Sequence, residues 1–271
     1  MKAKWKTGLN LLLAAVFLVS TFLLAGKWMD KNKGSSAYED AIAIAIQKDS
    51  PAIIAEVPVP AAGQPDVQWV PAAIEKDPVM DDLARIDLAA LREVNPDVVG
   101  WITIPNTNIH YPLMQGQDND FYLNHTWKGD KNSVGSIFLE HLSSPDLMDY
   151  NTIIYGHNMA DGSMFADLRN YSVEGYWKQN PFVYIVTDAG IYRYDIIGAY
   201  KASVDGLTYG VAFPREESQA NFLRYIRRES EFDTGILPEA HDRILTLSTC
   251  YGNSNELRWV VHARLRMVEA S

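Results

Sequence analysis

The 271-residue sequence predicts a mainly-β fold: an eight-stranded barrel with helical additions, set behind an apolar N-terminal helix. Three observations carry this. Eight short segments between residues 98 and 265 are rich in β-branched and aromatic residues, and turn chemistry such as "PNTN" and "TDAG" separates them. Only two stretches in the domain keep helical spacing, residues 81–94 and 215–230. A single cysteine excludes an internal disulfide framework, so a hydrophobic core must hold the fold.

In chain order, residues 1–7 carry Lys2, Lys4 and Lys6, which favours a cytoplasmic N-terminus. "GLNLLLAAVFLVSTFLLAG" (8–26) is 19 residues without a charge, just enough to span a bilayer core of about 30 Å at about 1.5 Å per residue. A transmembrane signal anchor is expected here. A cleavable signal peptide is the alternative, disfavoured by the long apolar region and the lack of a clear A-x-A site. Residues 27–80 read as an extracellular linker. Their Pro- and Ala-rich part keeps no sustained period, so a stiff, extended spacer is expected. Within it, "YEDAIAIAIQ" (38–47) fits either a short helix or a strand.

The catalytic-size domain covers residues 81–271. In "DDLARIDLAALREVNPD" the positions Leu83, Ile86, Ala90, Leu91 and Val94 follow helical spacing until Pro96 stops it. The expected strands are 98–104, 108–114, 135–140, 151–156, 182–187, 191–201, 243–249 and 257–265. The amphipathic helix at 215–230 lies between the sixth and seventh of them. A net charge of −10, from 34 acidic and 24 basic residues, argues against a nucleic-acid partner. One cysteine also excludes a zinc site built from several thiolates, and His141, Asp146 and Asp149 read as a solvated loop.

Three residues at or beside strand ends suggest chemistry. Cys250 closes "RILTLST", His157 follows "NTIIYG", and Arg258 begins "LRWVVHARL". The short step from Cys250 to Arg258 suits a hairpin, in which cross-strand neighbours lie about 5 Å apart. A cation beside a thiol raises its thiolate fraction. A thiolate can attack an acyl carbon, an imidazole can protonate the departing amine, and a guanidinium can stabilise the oxyanion. The plain readings of the same residues are a buried cysteine, a hydrogen-bonding histidine and a solvated arginine. The strand-end position of Cys250, with a Gly/Asn loop directly after it, favours the reactive one.

"TLSTC" followed by "R-x-V-V-H-A-R-L" resembles the active-site hairpin of the sortases, and "IIYGHN" resembles their histidine segment. The stretch from Val94 to Glu140, with the helices before it and at 215–230, is similar to the class B catalytic domain. The resemblance covers roughly residues 81–267. It implies an eight-stranded sortase barrel and a membrane-anchored cysteine transpeptidase of Gram-positive bacteria, its domain outside the cytoplasm. By position, Cys250 would be the nucleophile, His157 the acid/base and Arg258 the oxyanion or substrate clamp. Asn119, Leu123, Tyr155, Ser248 and, more loosely, Tyr209 match positions lining the family's substrate groove. The implied reaction cleaves a sorting signal of surface proteins, Asn-Pro-x-Thr-x or related, after threonine. It then passes the acyl group to an amine of the cell-wall precursor or to a pilin lysine, with no metal or organic cofactor. No acid directly follows Cys250; only Glu256 in that loop could orient the histidine.

Two rival classes remain at this stage. Another extracellular cysteine protease is one, although papain-like enzymes place Cys before His and here His157 precedes Cys250. A non-catalytic anchored β-domain surface protein is the other.

Overall fold

The computed structural model describes residues 2–46, 77–250, 252 and 256–266, with the side chains of residues 2–12, 14, 15 and 78 outside that description. Eight strands close into a barrel: β1 (Val98–Thr103), β2 (His110–Met114), β3 (Ile137–Leu139), β4 (Asn151–Tyr155), β5 (Phe182–Thr187), β6 (Gly190–Ser203), β7 (Ile244–Cys250) and β8 (Leu257–Arg266). All eight expected strands are present, with ends shifted by one to a few residues. Their order around the barrel is β1-β2-β3-β4-β7-β8-β6-β5. The pairs β2/β3 and β4/β7 are parallel and the others antiparallel, so the sheet is mixed. Closure removes the exposed edges that would otherwise template aggregation. Trp101, Phe138, Tyr184, Tyr194 and Trp259 fill the core.

Five α-helices decorate the described barrel. α1 runs Lys2–Ala45, α2 Pro78–Leu83, α3 Leu88–Val94, α4 Tyr176–Gln179 and α5 Glu216–Glu229. α5 is the helix expected between the sixth and seventh strands, and it buries Phe222 and Ile226 against Ile197, Tyr200 and Val260 of β6 and β8. The single helix expected over 81–94 is two. Asp87 leaves the helical path because its side chain caps α3 at the Ala90 N–H while its own N–H donates to Ala45 O of α1.

The N-terminal segment departs from expectation. The linker expected over 27–80 is not an extended spacer at its start: α1 continues through it to Ala45, and Pro78 already belongs to α2. Ala37, Tyr38, Ala41 and Ala45 join the main core cluster. Polar contacts fasten the same stretch, with Trp127 Nε1 donating to Ala37 O at 2.6 Å and Asn132 Nδ2 to Asp30 O at 2.7 Å. Burial against the barrel thus overrides the weak helical signal of "KNKGSSAYEDAIAIA". Residues 47–76, which hold most of the Pro-rich sequence, lie outside the described residues. Residues 8–26 lie within α1; among the described residues no helix is long and apolar enough to cross a membrane.

Candidate active site

The parallel pairing of β4 with β7 determines what meets at one mouth of the barrel. Tyr155 is opposite Ser248, and the Gly156 N–H donates to Ser248 O at 3.2 Å, so the chain beyond β4 arrives beside the end of β7. His157 is the next residue and Cys250 ends β7. Asn158 ties the two ends, its Nδ2 donating to Cys250 O at 3.1 Å. On the other side of β7 the antiparallel register pairs Cys250 with Arg258. The three residues singled out in the sequence therefore converge, although 93 positions separate His157 from Cys250.

A cavity of about 300 Å³ opens over them. Its lining includes all eight residues expected to contribute: Cys250, His157, Arg258, Asn119, Leu123, Tyr155, Ser248 and Tyr209. Tyr209 comes from a 3-10 turn, Leu207–Tyr209, between β6 and α5, and its hydroxyl lies 2.8 Å from Ser248 Oγ. The Tyr155 and Tyr209 rings stack with centroids 6.4 Å apart. Phe138, Gly156, Val204 and Thr249 complete the wall.

The electrostatics suit an ionised pair. Cys250 is half-buried. Its hydrogen bond with His157 pulls the thiol below its ordinary range; burial opposes that, and the Arg258 charge adds to it. The same bond raises His157 against the opposing effect of burial, helped by the Leu123 carbonyl. That carbonyl lies 2.6 Å from His157 Nε2. A carbonyl only accepts, so Nε2 carries a proton and Nδ1 is left as the basic nitrogen available to a thiol. A backbone oxygen thus orients the imidazole.

One residue escaped the sequence reading. Glu140, only 7% exposed, follows β3 and backs two residues of the cavity wall. Its Oε2 accepts from Asn119 Nδ2 at 2.6 Å and from the Tyr155 hydroxyl at 2.9 Å, and His141 Nδ1 lies 2.8 Å from Oε1. Asn119 Oδ1 in turn accepts the His141 N–H. The available signal was a carboxylate ending the apolar run "GSIFL", where burial demands partners. Asp146 and Asp149 accept from backbone N–H groups of their own loop, a local structural use.

The comparisons with known proteins agree with this geometry. A Sortase domain matches residues 102–266, more than half of the chain. Sortase B of Listeria monocytogenes is 39% identical over 166 residues, covering 61% of this chain and 68% of that protein. Sortase B of Staphylococcus aureus is 30% identical over the same shares. Among solved structures, sortase B of Clostridium perfringens superposes with a TM-score of 0.63 at 32% identity, over 67% of this chain and all of that one. A Staphylococcus aureus sortase B–substrate complex gives 0.64 at 30% identity, over 67% and 85%. A half-buried thiol hydrogen-bonded to an imidazole at one mouth of a closed barrel is equipped for acyl transfer through a thioester. The chain belongs to the sortase family, as a class B sortase, and is a cysteine transpeptidase.

Proposed function

We propose that this chain cleaves a threonine-containing sorting peptide and transfers its acyl part to an amine, with Cys250, His157 and Arg258 as the working residues. The Cys250 thiolate attacks the carbonyl carbon of the threonine, forming a C–S bond. Arg258 stabilises the oxyanion, a contribution worth about 3–4 kcal/mol for one such donor. The His157 imidazolium gives its proton to the departing amine as the C–N bond breaks, leaving a thioacyl enzyme. An incoming amine then gives up a proton to His157 and attacks the thioester, and the thiolate departs. The Tyr155–Tyr209 stack, Leu123, Asn119 and Ser248 bind the peptide, and the class B resemblance implies an Asn-Pro-x-Thr-x or related motif as its substrate class. The acceptor is the amine of a cell-wall precursor or a pilin lysine.

The observation that carries this reading is the hydrogen bond between Cys250 and His157 in the wall of an open cavity that Arg258 also lines. A solved relative bound to its substrate supports the peptide partner. Screening a fluorogenic library of threonine-containing pentapeptides tests it, with Cys250→Ala as control. Cleavage that survives in the variant would sink the mechanism.

Membrane attachment is the second part of the proposal. Leu13, Val16, Phe17, Leu18, Phe22 and Leu24 stand exposed on α1, an apolar surface that water disfavours. We read residues 8–26 as the signal anchor, with residues 1–7 in the cytoplasm and the domain on the outer face. Flotation of the full chain with phospholipid vesicles checks this; a chain that stays in the dense fraction loses the anchor.

A further inference from the structure

We infer that the docked half of α1 is a brace for the catalytic histidine, and that Tyr38 is its positioning residue. The inference rests on the reading of His157 as the acid/base. Tyr38 is buried, 6% exposed, on the helix face turned toward the loop between β2 and β3. Its hydroxyl donates to Gly135 O at 2.5 Å and lies 3.1 Å from Ser136 Oγ. Ser136 Oγ donates to His125 O, and the Ser136 N–H to Tyr122 O. These bonds fasten the two arms of one loop, residues 121–125 and 132–136, to each other and to α1.

That loop supplies the oxygen on which His157 depends. Leu123 O is the 2.6 Å partner of Nε2. Gly135 presses against the same place: a Cβ there would sit 2.7 Å from Leu123 O and 2.9 Å from His157 Cδ2, and its φ of +60° already favours glycine. Gly135 thus lies between the Tyr38 hydroxyl and the imidazole, its carbonyl bonded to Tyr38 and its α-carbon so near His157 that no side chain fits between them. Moving the Gly135 peptide moves the bed of the imidazole.

Among the described residues, the groups acting on His157 are these. Cys250 faces it from β7, and Arg258 reaches Cys250 from β8. Asp161, on the loop after His157, pairs with Lys31 of α1 at 3.2 Å. Tyr38 adds no charge, since burial holds its phenol far above the ordinary range and so neutral. Its influence on His157 is geometric.

The test uses the full chain and iodoacetamide, whose reaction rate with Cys250 reports the thiolate across pH. Tyr38→Phe keeps the ring in the core and deletes only the hydroxyl. It is expected to slow alkylation at pH 7 by about threefold and to move the profile to higher pH, as a weakened hydrogen bond to His157 would. Asp40→Ala is the control, because it breaks the 2.7 Å pair with Lys128 between α1 and the same loop without touching Gly135. Its profile is expected to match the parent. A Tyr38→Phe profile superimposed on the parent, or an equal shift in Asp40→Ala, overturns the brace. His157→Ala separates the two claims: a shift there with none in Tyr38→Phe sinks only the brace, whereas no shift in His157→Ala sinks the reading beneath it.

Discussion

Cys250 and Arg258 stand directly opposite one another on adjacent antiparallel strands, so the guanidinium is positioned by sheet register rather than by a loop. Register is costly to alter, because a one-residue slip would turn Trp259 and Val261 out of the core. The cation is thereby fixed relative to the sulfur. Replacing Arg258 with Ala is expected to lower the transpeptidation rate about 10²- to 10³-fold, the scale of one lost oxyanion donor. It also removes a charge that holds the thiol down, so the alkylation profile moves to higher pH. Arg258→Lys should restore the profile better than the rate, since an ammonium keeps the charge but not the planar fork. Steady-state kinetics and alkylation against pH measure both.

His157 has the larger effect on the thiol, being the first cause of its lowering and Arg258 a lesser one. With the thiol lowered and the imidazole raised, the two pKa values approach each other, and the population of thiolate with imidazolium grows at neutral pH. Deleting the imidazole in His157→Ala is therefore expected to send the alkylation midpoint toward the ordinary thiol value of about 8.5, farther than Arg258→Ala does. A midpoint that falls instead would mean the two side chains do not share a proton.

The barrel was legible because each strand carries its own signal. Segments such as "NTIIYG" and "FVYIVT" are β-branched, aromatic and bounded by turns, and tertiary contacts do not reverse them. Cys250 and Arg258 could be paired because a hairpin is local. Bringing His157 to them required the parallel β4/β7 pairing, a long-range contact that only the family resemblance supplied. α1 beyond residue 27 was misread for the opposite reason: its helix is stabilised by Tyr111 of β2 and by Trp127 and Val134 of the loop between β2 and β3, not by its own composition. Glu140 was missed because its meaning lies in Asn119 and Tyr155, which reach it from other elements.

Glu140 anchors two residues of the cavity wall, Asn119 and Tyr155. Its Oε2 takes two donors, and a glutamine of the same size offers only one oxygen and two unwanted N–H groups. Glu140→Gln is expected to loosen Asn119 and Tyr155, at about 1–2 kcal/mol for a weakened buried charged hydrogen bond. KM for the sorting peptide should then rise about tenfold. Alkylation of Cys250 should stay unchanged, because Glu140 does not touch the sulfur or His157. An altered alkylation profile would place the carboxylate in the proton-transfer network instead of the binding wall.

His262 predicts how the fold answers acid. It is fully buried on β8, between Thr246 Oγ1 and the Tyr200 hydroxyl, each 3.0 Å away. Thr246 gives its own proton to Asn151 Oδ1, so its oxygen accepts from His262 Nδ1, and Nε2 accepts from Tyr200. Burial pulls the folded-state pKa down to about 3 from an ordinary 6.5. The unfolded chain therefore takes up this proton first as the pH falls. The contribution to stability is complete above about pH 6.5 and declines by about 1.4 kcal/mol per pH unit below it, a loss of about 2 kcal/mol by pH 5. His262→Gln loses packing and hydrogen bonds at every pH, but it cannot titrate. Denaturant unfolding at pH 7.5 and pH 5 should show a stability difference smaller by about 2 kcal/mol in the variant than in the parent. Equal differences would mean that His262 is charged inside the barrel, which its neutral partners and complete burial oppose.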